Sequence, residues 1–176
     1  MKTLYFDLET QRSAQEVGGW RNINLLRMSV GVTYCEETGA YSVFLERDVE
    51  RLVEELFSAD LVIGFNVIRF DYVVLGYYTT RDFSEITTLD MLDYLKRRYN
   101  FLISLEKIAQ SSVGAGKSAH GLMALEWFRK GEMDKIIDYC KQDVAVTRLV
   151  YLYGKKHGSL LLPGFMGRPR RIDVDW

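Results

Sequence analysis

Residues 138–147 of the sequence, DYCKQDVAVT, place an aspartate in the middle of an otherwise ordinary amphipathic pattern. The surrounding positions are spaced by three or four residues, which in a helix puts them on one stripe: Ile136, Tyr139, Asp143, Val146 and Val150. The apolar members predict that this stripe faces the core. Burying a charged carboxylate is costly unless another group compensates the charge. The sequence therefore predicts a helix in which Asp143 has a partner.

The composition is that of one globular domain. The chain has 176 residues, of which 48% are hydrophobic, and only two prolines. Cys35 and Cys140 each lie in an apolar run, which is typical of reduced core cysteines rather than of a disulfide framework. Acidic residues occur too early in MKTLYFDLET for a secretory signal peptide. We therefore expect a cytoplasmic protein.

The order of predicted elements indicates an α/β fold. TLYFDLE (3–9) alternates like a strand, and two further strands follow, joined by a turn. Strands then alternate with helices, one of them a buried helix predicted over residues 67–80, and the C-terminal half is helical. This order predicts a mixed β-sheet flanked by helices over residues 1–160. Residues 161–176 are predicted to form a C-terminal tail, a candidate for an added edge strand.

Four acidic residues stand at unusual places in this framework. Asp7 and Glu9 are two residues apart on a strand, so both side chains leave the same face. Asp71 and Asp143 each interrupt an apolar helical stripe. A solvated strand face explains the first pair alone, and a hydrogen-bonded structural carboxylate explains either aspartate alone. Together the four would repel one another, and carboxylate oxygens of this kind suit Mg²⁺ or Mn²⁺.

Three short motifs carry a resemblance to a known family. FDLET (6–10) resembles the first motif of the DEDD 3′–5′ exonucleases of the ribonuclease H-like superfamily. NVIRFD (66–71) is similar to their second motif, as in the proofreading domains of family B DNA polymerases. YCKQD (139–143) resembles the third motif of the tyrosine subgroup, DEDDy. The order and separation of the motifs agree with this family, and the chain also resembles small stand-alone bacterial ribonuclease H-like proteins.

The resemblance implies a fold, a reaction and a set of site residues. It implies a ribonuclease H-like fold and a metal-dependent 3′–5′ exonuclease that releases 5′-nucleoside monophosphates, preferably from a single-stranded 3′ end. Two Mg²⁺ or Mn²⁺ ions would be bound by Asp7, Glu9, Asp71 and Asp143, while Tyr139 orients the attacking water. The expected substrate-binding residues are Asn66, Phe70 and Lys117.

Several alternatives remain open at the level of sequence. SSVGAGKS (111–118) imitates a phosphate-binding loop, but Ser111 replaces its first glycine and the stretch follows a helix, which argues against a nucleotide triphosphatase. Lys117 is equally explained by a plain loop, and Asn66 by a helix cap. A basic segment, residues 94–131, is either a nucleic-acid surface or a solvated helical face. An endonuclease on the same fold and an inactive nucleic-acid-binding module are the alternative functions, and the motifs do not distinguish DNA from RNA.

Overall fold

The computed structural model describes residues 1–115, 121–164 and 168–176. In these ranges, no helix is both long enough and apolar enough to cross a membrane. The strands are β1 (Thr3–Thr10), β2 (Met28–Cys35), β3 (Ala40–Leu45), β4 (Leu61–Gly64), β5 (Thr88–Asp90), β6 (Ser159–Leu162) and β7 (Arg170–Asp173). The α-helices are α1 (Val49–Phe57), α2 (Asp71–Leu75), α3 (Met91–Tyr99), α4 (Leu105–Val113), α5 (Gly121–Lys130) and α6 (Met133–His157).

Five strands form a mixed sheet in the order β3-β2-β1-β4-β5. β1 and β3 both pair with β2 in the antiparallel sense, whereas β1, β4 and β5 run parallel to one another. A short turn joins β2 to β3, the longer segment 11–27 joins β1 to β2, and the parallel strands have the longer crossovers that such pairs need. The predicted α/β architecture is confirmed.

The alternation of β1 divides the core between the two faces of the sheet. Tyr5 packs with residues of α3, α4 and α6 on one face, whereas Phe6 and Leu8 pack with residues of α1 and α2 on the other. Successive strand residues point to opposite faces, so Asp7 and Glu9 leave β1 on the same side as Tyr5. This is the side on which α6 lies, and the acidic residues of β1 consequently face the third motif.

The predicted helix over residues 67–80 is wrong in its extent. α2 contains only Asp71–Leu75, and the preceding residues form a turn that starts from Asn66, whose φ is 70°. The carboxylate of Asp90 accepts hydrogen bonds from the backbone N–H groups of Asn66 (2.8 Å) and Ile68 (3.0 Å). Because these amides bond to a side chain from β5, they do not enter a helical ladder, and Ile68 is partly exposed rather than buried.

The tail forms a strand, but the strand is not added to the five-stranded sheet. β7 pairs with β6 in a separate antiparallel sheet of two strands. The tail packs onto α6 through Trp176, whose indole N–H donates to the backbone oxygen of Tyr151. Gly154 faces this indole so closely that a Cβ there would lie 2.7 Å from Trp176 Cζ2.

Candidate active site

The carboxylates of β1 and α6 meet between the sheet and the helix. One carboxylate oxygen from each of Asp7, Glu9 and Asp143 can be chosen so that all three lie within 4.8 Å of one another. Asp143 is buried, and the two acids of β1 are half-buried. The predicted stripe of α6 explains the placement, because Ile136, Val146 and Val150 are buried on the same face of the helix. We call Asp7, Glu9 and Asp143 the acidic cluster.

Asp71, the fourth predicted acid, lies beside the acidic cluster at the start of α2. Its side chain is buried, and its Oδ1 accepts a hydrogen bond from the backbone N–H of Leu8 at 2.9 Å. Burial raises the pKa of the Asp71 carboxyl well above its ordinary value, the charge of Asp7 raises this pKa further, and the Leu8 hydrogen bond opposes the rise. The second motif is thereby attached directly to the first.

Tyr139 precedes Asp143 by one helical turn, and both residues line one cavity. The Tyr139 ring packs edge-on against Trp127 of α5, with 6.1 Å between ring centroids, and only 5% of the residue is exposed. The α5–α6 contact therefore fixes the ring, which leaves little freedom for the position of its hydroxyl group.

Every predicted catalytic residue lines one cavity of about 510 Å³. Two of the predicted substrate-binding residues, Asn66 and Phe70, also line this cavity, whereas the third, Lys117, lies outside the described residues. Asn66 does not begin a helix, so the helix-cap explanation for this residue is wrong; its left-handed backbone instead turns the chain from β4 toward α2. Side chains from three motifs that are far apart in sequence are thus brought to one concave surface.

A family comparison identifies the chain. A family model described as a predicted 3′–5′ exonuclease related to the exonuclease domain of PolB matches residues 69–162, just over half of the sequence. The chain belongs to this family. No protein of the curated set matches it.

Membership of the family agrees with the fold, and the matched residues cover part of the candidate active site. The mixed five-stranded sheet flanked by helices is consistent with the ribonuclease H-like fold that the resemblance implied. The matched residues include Asp71, Tyr139 and Asp143, but they begin after β1. Asp7 and Glu9 are connected to the family site by the three-dimensional arrangement and by the FDLET motif, not by the family match.

Cys140 is a site neighbour that the sequence interpretation treated only as core. The residue is fully buried, and its Sγ lies 3.4 Å from the backbone oxygen of Asp7 and 3.6 Å from Asp7 Oδ2. Burial, and then the nearby carboxylates with Asp7 first, raise the pKa of the Cys140 thiol well above its ordinary value. The thiol therefore keeps its proton and donates it toward Asp7. The proximity of Cys140 to Asp143 in sequence was the available signal.

Asp90 supports the second motif from a distance of about twenty positions in the chain. Its carboxylate caps α3 by accepting hydrogen bonds from the backbone N–H groups of Leu92 and Asp93. The same carboxylate also binds the turn that begins at Asn66. No spacing rule connects these two roles, so the second one was not visible in the sequence.

The rim of the cavity is formed by side chains that the sequence did not indicate. Arg12 and Trp20 line it from the segment between β1 and β2, and Leu122 lines it from α5. All three side chains are exposed. The segment carries no motif of the family, and an isolated exposed tryptophan gives no periodic signal.

Three arginines of the basic segment form ion pairs with carboxylates. Arg97 pairs with Asp93, Arg98 pairs with Asp175, and Arg129 pairs with Glu16 at 3.0 Å. The last pair attaches α5 to the segment between β1 and β2, and residues of both line the cavity. The Arg98 and Arg129 pairs thus connect parts of the chain that are distant in sequence, whereas the Arg97 pair lies within α3.

Proposed function

We propose that this protein is a metal-dependent 3′–5′ exonuclease of the tyrosine subgroup, which hydrolyses phosphodiester bonds of nucleic acid from a 3′ end. The expected products are 5′-nucleoside monophosphates, released one at a time. The proposed substrate is a single strand with a free 3′-hydroxyl group. Family membership supports a nuclease, and the arrangement of side chains in the cavity supports the finer assignment.

The acidic cluster is the observation that carries the proposal. Three carboxylates with oxygens within 4.8 Å form a donor set of hard, negatively charged oxygen ligands, which fits Mg²⁺ or Mn²⁺. Asp71 adds a fourth carboxylate on the wall of the same cavity. We propose that Asp7, Glu9, Asp71 and Asp143 hold two such ions. When bound, the ions supply an activated water and stabilise the leaving oxygen of the phosphodiester.

Other side chains of the cavity are assigned to orient the attacking water and the substrate strand. Tyr139 lies on the same face of α6 as Asp143, and its ring is held by Trp127. We assign to its hydroxyl the task of orienting the attacking water. The histidine subgroup would carry a histidine five residues before Asp143, and that position is Asp138. Asn66 and Phe70 are assigned to the sugar-phosphate backbone and to a base of the substrate, and Lys117 to a phosphate.

Two variants of α6 test the proposal. Asp143→Asn removes one charge from the acidic cluster, and we expect the rate to fall by at least about 10²–10³-fold, the cost of one preorganised electrostatic group. Tyr139→Phe removes only the orienting hydroxyl, and we expect a loss of about 10²-fold or less with metal affinity unchanged. Initial rates, metal titrations and melting temperatures are measured on both variants and on the wild type.

The outcomes separate catalysis from packing. If both residues only stabilise α6, both variants lose melting temperature, and activity falls only as far as folding does. Equal rates for the wild type and Asp143→Asn would overturn the catalytic assignment. A Tyr139→Phe variant as inactive as Asp143→Asn, though folded and metal-bound, would mean that the phenol transfers a proton itself.

Direction of cleavage is tested with labelled strands. A 5′-labelled DNA or RNA oligonucleotide with Mn²⁺ should give a ladder that shortens from the 3′ end. A phosphorothioate in the terminal linkage or a 3′-phosphate should slow the first step. Undiminished cleavage of a blocked or circular strand would instead identify an endonuclease on the same fold.

A further inference from the structure

Trp20 is a large aromatic residue exposed at the edge of the candidate active site. It begins a 3₁₀ helix, Trp20–Leu26, and 70% of its surface is accessible although it lines the cavity that contains the acidic cluster. Large aromatic side chains stabilise proteins mainly through burial, so this position contributes little to the core. The placement points to a role in binding rather than in folding.

The segment that carries Trp20 is held in a defined conformation. Ser13 donates to Glu16 Oε2 through its backbone N–H (2.7 Å) and its hydroxyl group (2.8 Å), and the Asn22 amide donates to the backbone oxygen of Val17 at 2.7 Å. Gly19 has φ 111°, a backbone conformation that other residues rarely adopt, although a Cβ there would meet no atom within 4 Å. The backbone thus requires this glycine directly before Trp20. A backbone that is already ordered reduces the entropy lost when Trp20 binds a ligand.

The groups around Trp20 fit a nucleic-acid strand in charge and shape. Leu122, which is 74% exposed, lines the cavity from α5. Arg12 lines it beside Trp20, and within the described part of the chain the Arg12 guanidinium forms no ion pair with a carboxylate. The mouth of the cavity therefore offers apolar surface and a cation, and its floor offers metal-binding carboxylates. A nucleotide has the matching sequence of groups: a base, a backbone phosphate and a scissile phosphate.

We propose that Trp20 stacks on an unpaired base of the substrate strand and that Arg12 contacts a phosphate of that strand. The inference rests on the proposed exonuclease function and adds the residue that selects single strands. Bases inside a duplex are covered on both faces by their neighbours, whereas every base of a single strand can turn a face to an indole, and stacking tolerates every base. Trp20 thereby favours unpaired 3′ ends without reading their sequence.

The kinetic test compares Trp20→Ala and Trp20→Phe with the wild type. Stacking on an aromatic residue contributes about 1–3 kcal/mol per base, so kcat/KM of Trp20→Ala on a single-stranded oligothymidylate should fall about 5- to 150-fold. The loss should appear in KM, because the ring does not touch the reacting atoms, and Trp20→Phe should recover part of it. Tyr41→Ala is the matched control, since Tyr41 is also exposed but does not line the cavity.

A duplex substrate tests the selection of single strands. The wild type should degrade a single strand faster than a blunt duplex of the same sequence. Trp20→Ala should lose most of this preference, because the Trp20 ring contributes little to binding of the duplex and its removal therefore slows mainly the single strand. An unchanged preference in Trp20→Ala would overturn the inference.

Equilibrium binding separates failure of this inference from failure of the proposed function. Fluorescence anisotropy of a labelled oligothymidylate with Ca²⁺ gives Kd without turnover, and Trp20→Ala should raise Kd by the same factor as KM. A wild type that hydrolyses no oligonucleotide overturns the exonuclease proposal. Equal Kd for the wild type and Trp20→Ala overturns the Trp20 inference, whether or not the wild type is active. A Trp20→Ala variant that loses only kcat or only melting temperature also overturns it.

Discussion

Replacing Asp7 with Asn should stabilise the metal-free protein while abolishing its activity. Asp7 shares the acidic cluster with Glu9 and Asp143, whose carboxylate oxygens lie within 4.8 Å. At this separation, two unit charges repel by about 1–4 kcal/mol for an effective dielectric constant between that of water and about 20. The neutral amide removes this repulsion from two pairs. For a chain of this length, each kcal/mol raises the melting temperature by about 2–4 °C.

Thermal unfolding in EDTA and in excess Mg²⁺ measures the effect of Asp7→Asn. In EDTA the variant should melt several degrees above the wild type; in Mg²⁺ the order should reverse, because only the wild type gains the full free energy of metal binding. The matched control is Asp138→Asn, which removes a charge from an exposed residue of the same sequence stretch outside the cavity. An Asp7→Asn protein that melts at or below the wild type in EDTA would refute the repulsion argument. Substantial hydrolysis by this variant with Mn²⁺ would refute the assignment of Asp7 as a ligand.

Three further perturbations test the scaffold around the site. Gly154→Ala should lower the free energy of unfolding by about 1–3 kcal/mol despite the better helix propensity of alanine, because its Cβ would lie 2.7 Å from Trp176; in a Trp176→Ala background, urea unfolding should show a gain instead. Asp90→Asn should lower the free energy of unfolding by about 1–3 kcal/mol, because the Asp90 carboxylate accepts from four backbone N–H groups and one of its oxygens becomes an NH₂ group. The melting temperature and the rate of hydrolysis should both fall. The hydrogen-bonded Arg148 guanidinium lowers the pKa of Glu36, so this pair stabilises the fold above the ordinary Glu pKa and loses its effect as the pH falls through the lowered value. Arg148→Met should therefore cost about 1 kcal/mol at neutral pH, a value discounted for partial exposure, and in urea titrations the difference from wild type should shrink as the pH falls through the lowered pKa of Glu36.

The parts of the fold that could be predicted are those governed by regular periodicity. The two-residue alternation of β1 correctly separated Phe6 and Leu8 from the acidic side chains, and the three- and four-residue steps of α6 correctly placed Asp143 on a buried face. These patterns are local, so a single sequence contains them. Once β1 and α6 pack together, the proximity of Asp7 to Asp143 follows.

The parts that could not be predicted depend on long-range side-chain contacts. The turn before α2 is held by Asp90, and apolar spacing alone therefore extended that helix wrongly to residues 67–80. The tail strand pairs with β6 rather than with the large sheet, a choice that its short sequence does not encode. The 3₁₀ helix with Trp20 follows from two glycines and a few polar contacts, none of which has a period.

The same packing that forms the core also holds the acidic cluster in place. Three apolar residues of α6, Ile136, Val144 and Val150, are fully buried, and each contributes about 1.5–3 kcal/mol through the hydrophobic effect. Their combined contribution is of the same order as the repulsion among the three carboxylate pairs of the acidic cluster, at about 1–4 kcal/mol for each pair. Cys140 lies between them on the helix and donates its thiol proton toward Asp7, so β1 and α6 are also aligned by a direct contact. Apolar burial and the Cys140 contact together offset the repulsion, and the three carboxylates lie close together in the protein without metal. Metal binding then adds to the stability of a site that is already formed. Asp7→Asn and added Mg²⁺ should therefore shift the melting temperature by different amounts, without a change in the cooperativity of unfolding.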